Sequence, residues 1–303
     1  MADQLTPRIE ALLTTERLEK IYGRILSVLA RNKMRATFAF VGAFTLEPDA
    51  LTNFVGRLHN AFVGRRPWLE AFRRAIEREE WDGWLAPEAL RLVQAESQHE
   101  LATHGFTHLP LSEEVTDSDL FSNELGLVTE LARQQSWMPH TMVYPRNQVG
   151  HVERLPDFGI CGYRELLWPQ LPLRGTRRRI RELLGELGWA TRAQSVPAAR
   201  TAPVPIPAGY ILNFWHNRRR QLIPRAVTRW RWRRLLHAAA DTGRVAHLWT
   251  HPHNFLSDPG LLDVFDGILR EATALHRTGR LINLTQREFS AQVLDRDNDS
   301  WQA

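Results

Sequence analysis

Short apolar runs closed by glycine, proline or histidine alternate along this chain with longer segments of helical period. That alternation restricts it to an α/β fold built on a parallel sheet. The spacing of Leu18, Ile21, Ile25, Leu26 and Leu29 predicts a helix over Glu16 to Lys33. Ala36 to Gly42 reads as a buried strand, and Pro67 to Glu80 and Pro87 to Gln98 as helices opened by proline. A strand at Glu100 to Thr103 and a helix at Asp117 to Gln135 follow. Further strands are expected at Thr141 to Pro145 and Ile160 to Tyr163. About 168–225 the pattern fails, and the Pro, Arg and Gly content reads as an irregular insertion with one helix-like segment near Arg179 to Leu187. Periodicity returns with a helix at Val227 to Ala240, a strand at Val245, a helix at Leu261 to Leu275 and a last strand at Leu281 to Leu284. With no internal repeat and no boundary, the expectation is one domain over residues 1–292 and a polar tail over 293–303.

Residues with chemical capacity sit just after the expected strands: Gly42, His104, Pro145-Arg146 and His251. That placement points to a site at the C-terminal ends of the strands of a barrel. His104-Gly105-Phe106-Thr107-His108 sets two imidazoles four residues apart, close enough to share a cation. Gly105 argues for a strand-to-helix turn rather than a regular helix. A second cluster, His247-Leu248-Trp249-Thr250-His251-Pro252-His253-Asn254, follows a later apolar run. The single cysteine, Cys161, excludes an internal disulfide framework and a thiolate metal cage, so histidines and carboxylates must supply any metal site. No apolar run approaches a membrane span, and the first residues lack a basic-then-apolar segment, so a soluble cytoplasmic protein is expected.

The net charge of +5 is carried almost wholly by arginine, Lys20 and Lys33 being the only lysines. Arginines cluster at 177–179, at 218–220 and in Arg229-Trp230-Arg231-Trp232-Arg233-Arg234. Interleaved arginine and tryptophan can stack on bases and neutralise phosphates. No recognisable nucleic-acid module accompanies them, and a solvated helix face with tryptophans turned inward is the preferred reading. A third reading is an anionic ligand, such as a nucleotide-linked or acidic sugar, docked over the site.

Four segments together resemble the polysaccharide deacetylase (NodB-homology) family. They are Arg35 to Gly42, Thr103 to His108, Tyr144-Pro145-Arg146-Asn147-Gln148 and Trp249 to Phe255, in the family's order. The resemblance spans roughly residues 16–290 and lies nearest the branch associated with capsule, O-antigen and other glycan biosynthesis. It implies an irregular (β/α) barrel with a divalent metal, expected to be zinc, at the strands' C-terminal ends, and hydrolysis of an acetyl group on a sugar. On that pattern His104 and His108 would bind the metal, and His251 would protonate the leaving amine or alkoxide. Arg146 lies where the family keeps an arginine that orients a catalytic carboxylate. Tyr144, Asn147, Gln148, Tyr163, Arg164, His253 and Asn254 would face the substrate. Zinc chemistry agrees, since the ion lowers the pKa of a bound water and polarises the acetyl carbonyl.

One motif is missing. The family's first strand ends in acidic residues, yet Asp3, Glu10, Glu16 and Glu19 are the acids available and none follows an apolar strand. The chain then either begins after that motif or carries it in decayed form, with the first barrel strand absent or degenerate. Two histidines alone fall short of the usual three protein ligands. Two functions follow: a metal-dependent deacetylase acting on an acetylated sugar or glycan precursor, or a catalytically impaired protein of the same fold that binds a glycan or a biosynthetic partner. The structural alternatives are core histidines at 104 and 108, a capping role for His251, a structural His247 and a small core filler at Cys161.

Overall fold

Helix α1 (Thr15–Arg31) follows from its local sequence. The Thr14 side chain accepts from the Arg17 N–H at its start, Glu16 lies in the first turn and Arg31 in the last. Its apolar stripe, including Leu18, Ile21, Ile25, Leu26 and Leu29, is buried, and Tyr22 stacks on Phe40 with ring centroids 5.5 Å apart. The computed structural model describes residues 11–58, 67–166, 191–212 and 223–295. The arginine runs at 177–179 and 218–220, the helix-like segment near 179–187, the acids Asp3 and Glu10 and most of the polar tail lie outside them.

The architecture is mixed α/β. A five-stranded sheet runs in chain order through β1 (Thr37–Phe40), β2 (Glu100–Thr103), β3 (Thr141–Met142), β4 (Gly162–Arg164) and β5 (Val204–Ile206), all parallel. Between β1 and β2 come α2 (Pro48–Val55), α3 (Pro67–Arg78) and α4 (Pro87–Gln94), and between β2 and β3 comes α5 (Ser118–Gln134). A second parallel pair joins β6 (Tyr210–Ile211) to β7 (Leu248–Trp249), with α6 (Arg225–Thr242) between them. Then follow α7 (Pro252–Ser257), α8 (Leu261–Arg277) and α9 (Gln286–Leu294). The main core lies where α1 packs on α4, α7 and α8, and α8 packs on α6.

The sheet is tied together at its N-terminal end. Glu100, 7% exposed, accepts from the Thr37 hydroxyl at 2.7 Å, the Thr141 hydroxyl at 2.5 Å and the Arg287 N–H at 2.9 Å. Those contacts join β1, β2, β3 and the first turn of α9. Burial pushes the Glu100 carboxyl above its ordinary range, and the hydrogen bonds oppose that shift. Helix α9 is also fixed by a capping box between Thr285 and Glu288.

Several expectations need correction. The stretch taken as an irregular insertion supplies β5 and β6. Pro205 inside β5 disguises it; among the described residues β5 pairs only with β4, and such an edge tolerates a residue without an N–H. Leu281 to Leu284 forms no ladder. Asn283 instead uses its side-chain amide, accepting from the Arg35 N–H at 2.6 Å and donating to the Arg35 carbonyl at 3.2 Å. Val245 makes one antiparallel bridge to Gln194, and the strand proper begins at Leu248. Helices α2, α7 and α9 were not expected. No helix among the described residues is long and apolar enough to cross a membrane.

Candidate functional site

The C-terminal ends of β2, β3, β4 and β7 carry the residues singled out in the sequence. His104 follows β2 and its backbone N–H still bonds to the Phe40 carbonyl at 2.7 Å. The next residues leave the strand: Gly105 has φ of 75° and His108 φ of 65°, so the segment is a loop and not a helical turn. Gly42 and Ala43 brace that loop through their N–H groups, bonding the Gly105 and Phe106 carbonyls at 2.9 Å each. A side chain at Gly42 would meet the Phe106 ring at 2.8 Å, which is why the residue closing the first strand is glycine.

The loop's other backbone groups are held by Glu124 of α5, which is fully buried. One carboxylate oxygen accepts from the Phe106 and Thr107 N–H groups at 3.0 Å each, the other from the Thr107 hydroxyl at 2.7 Å. Sequence reasoning missed Glu124. Its signal was a carboxylate among Phe121, Leu125 and Val128 on the buried face of a helix.

This bracing sets His104 and His108 edge to face, with ring centroids 4.7 Å apart. His104 Nδ1 lies 2.5 Å from the Val143 carbonyl. A carbonyl can only accept, so Nδ1 carries the proton and Nε2 keeps its lone pair available as a metal ligand or proton acceptor. Burial pulls the His104 pKa down to about 4, against the Val143 bond, and Arg164 lowers it further. Burial likewise holds His108 well below its ordinary value, with His104, His251 and Arg146 adding repulsion.

His251 follows β7 as the residue before α7, and its side chain makes no capping bond. Its ring stacks on His253 at 5.1 Å and meets Trp249 edge-on at 5.6 Å. Burial first, then His253, His104 and Arg164, pull its pKa to about 3. His104 therefore acts electrostatically on both His108 and His251, which places the three imidazoles in one neighbourhood.

Arg146 and Asn147 both adopt left-handed backbone with φ of 55°, in a tight turn opened by Pro145. Such conformations cost on the order of 1–3 kcal/mol each and collect at functional sites. Lys33, Glu79 and Ser136 share the conformation but sit just beyond helix ends, where it is ordinary. Asn147 accepts from the Arg164 guanidinium. Arg164 ends β4, is 8% exposed, and lies 4.5 Å from the Trp249 ring. Trp249 as the platform for Arg164 was also missed.

The remaining expected contacts divide. Tyr144 is 1% exposed, its hydroxyl donates to the Gly150 carbonyl at 2.8 Å, and its ring packs at right angles to Tyr163. Tyr144 belongs to a buried apolar cluster, and the half-buried Tyr163 packs against it. Gln148 accepts from the Ser112 hydroxyl at 3.3 Å. Asn254 is fully buried, and neither side-chain polar atom has a hydrogen-bond partner. His247 serves the frame, its Nδ1 donating to the Pro207 carbonyl at 2.6 Å. Cys161 contacts the His140 carbonyl at 3.2 Å.

A metal ion would find two imidazole donors in His104 and His108. Among the described residues no group of three or more histidine, cysteine or acidic side chains is arranged to hold one. The described residues therefore supply less than a full three-ligand set. In the arginine–tryptophan run of α6, Trp232 is buried and Trp230 is 49% exposed beneath the Arg234 guanidinium. A groove lined by Leu12, Arg17, Lys20, Ile21, Arg24 and Leu256 shares no residue with the histidine cluster. No protein-family model matches this chain, and a search of curated proteins likewise finds no match.

Proposed function

We propose that the chain is a hydrolase that removes an acetyl group from a sugar or glycan precursor, built on an irregular (β/α) barrel of the polysaccharide deacetylase type. One observation carries this reading: His104, His108 and His251 converge at the C-terminal ends of parallel strands, with His104 locked in the tautomer that frees Nε2. His104 and His108 would hold the divalent metal, which when bound would polarise the acetyl carbonyl. The described residues provide only two of its ligands.

His251 is neutral at pH 7, since burial takes its pKa to about 3. The neutral ring has a nitrogen free to accept a proton, and so low a pKa makes the protonated ring a strong acid toward the leaving group. It takes a proton from water as the water oxygen attacks the acetyl carbon. It then returns that proton to the sugar nitrogen or oxygen as the bond to the acetyl carbon breaks. One imidazole thus performs both transfers.

The second reading is a protein of the same fold that binds a glycan or a biosynthetic partner without turnover. The two-ligand metal set favours it. Elemental analysis of the purified wild type and His104→Ala separates the two. About one divalent ion per chain in the wild type, lost in the variant, with hydrolysis of an acetylated sugar, is expected for the hydrolase. No metal in either after incubation with zinc, together with no acetate release, sinks the hydrolase and leaves the binding protein.

A further inference from the structure

The arginine runs of the sequence raised an anionic ligand, and one buried arginine at the histidine cluster gives that idea a location. Arg164 stands at the C-terminal end of β4, 8% exposed, with its guanidinium 4.5 Å from the Trp249 ring and a hydrogen bond to the neutral Asn147 side chain. Among the described residues no aspartate or glutamate pairs with it. Several arginines nearer the surface behave differently. Arg31, Arg57, Arg91 and Arg280, all more exposed, each sit against a carboxylate.

Burying a guanidinium is costly unless an anion or a full set of acceptors compensates it. The group has five N–H donors, and Asn147 offers a single acceptor oxygen. Stacking on Trp249 recovers part of the cost but fills none of the donor directions. Desolvation alone lowers the Arg164 pKa to about 10, which leaves it charged at neutral pH. Among the described residues, the charged groups that act on His104, His108 and His251 are other histidines, Arg146 and Arg164, and no acidic side chain is among them.

We propose that the ligand of this site is an anionic sugar, whose carboxylate or phosphate pairs with the Arg164 guanidinium between Asn147 and Trp249. A planar guanidinium held against an aromatic ring presents the paired donors that both anions accept in bidentate fashion. The inference rests on the reading that sugars enter at this end of the sheet, and it does not require that they be hydrolysed.

Calorimetric titration tests it with three probes sharing one acetylated sugar: neutral N-acetylglucosamine, its 1-phosphate, and N-acetylmuramic acid, which adds a carboxylate. At least one charged probe is expected to bind wild type about tenfold or more tighter than the neutral one. That preference should vanish in Arg164→Gln and survive in part in Arg164→Lys. Whichever charged probe binds tighter identifies the anion as phosphate or carboxylate. Equal binding of neutral and charged probes, no binding of any of them to wild type, or a preference that persists in Arg164→Gln overturns the proposal. Should Arg164→Gln fail to fold, the three-probe comparison on wild type and Arg164→Lys decides alone. Acetate release from neutral sugars without anion preference would uphold the hydrolase and sink the anionic ligand; anion preference without acetate release would do the reverse.

Discussion

Glu124 shows how a residue that touches no ligand can determine whether a site exists. It is a fully buried carboxylate whose three acceptor contacts hold the backbone between His104 and His108. Glu124→Ala would leave two buried N–H groups and a hydroxyl without their acceptor, at a cost of roughly 2–4 kcal/mol. In Glu124→Gln the amide oxygen can still accept from both N–H groups while its NH₂ donates to the Thr107 hydroxyl. Urea denaturation should therefore rank wild type and Glu124→Gln close together and Glu124→Ala well below. Equal midpoints for all three would show that the loop does not depend on this carboxylate. At this scale the sequence was informative where chemistry forces residue type. His104, His108 and His251 could be picked from spacing and from their position after apolar runs. Tyr144 could not be placed, because an aromatic after a strand looks the same whether its hydroxyl meets a substrate or the Gly150 carbonyl.

The helices were legible because each long amphipathic segment carries many periodic apolar positions: α1, α5 and α8 begin and end close to where their patterns do. Strands of two to four residues carry too few positions for periodicity to register, which hid β5 and β6. Helix α9 was missed for a related reason: its position is set by contacts distant in sequence. The Gln286 N–H donates to the Thr37 hydroxyl at 2.8 Å and the Arg287 N–H to Glu100. Glu100→Leu removes the common acceptor of β1, β3 and α9 and should cost roughly 2–4 kcal/mol. Glu100→Gln should cost far less, since its carbonyl can still receive the Arg287 N–H and its NH₂ can donate to the Thr141 hydroxyl. Thermal unfolding of both variants checks this ranking. An equally large loss in Glu100→Gln would mean that the charge, rather than the acceptor geometry, holds the elements together.

Across the whole molecule, the two ends of the parallel sheet bury different sets of titratable groups. The N-terminal end buries Glu100 against hydroxyls and a helix start, while the C-terminal end gathers histidines kept neutral by burial around the buried Arg164. The second arrangement makes the fold sensitive to acid. His247, which frames β7, has its pKa pulled to about 4, chiefly by burial, with the Pro207 bond opposing and Arg164 reinforcing the shift. Its ordinary value is 6.5. Between those values the unfolded chain binds a proton that the folded chain refuses, so acid favours unfolding. The stability is fully present above pH 6.5 and is lost as pH falls toward 4. His104 and His251 act in the same direction. His247→Asn isolates one contribution, because the asparagine NH₂ can replace the Nδ1–H toward Pro207 without titrating. Urea midpoints taken from pH 7 to pH 4 should fall less steeply in the variant than in wild type, with the gap between the curves narrowing toward acid. Curves that stay parallel would show that His247 takes up its proton as readily in the folded chain as in the unfolded one.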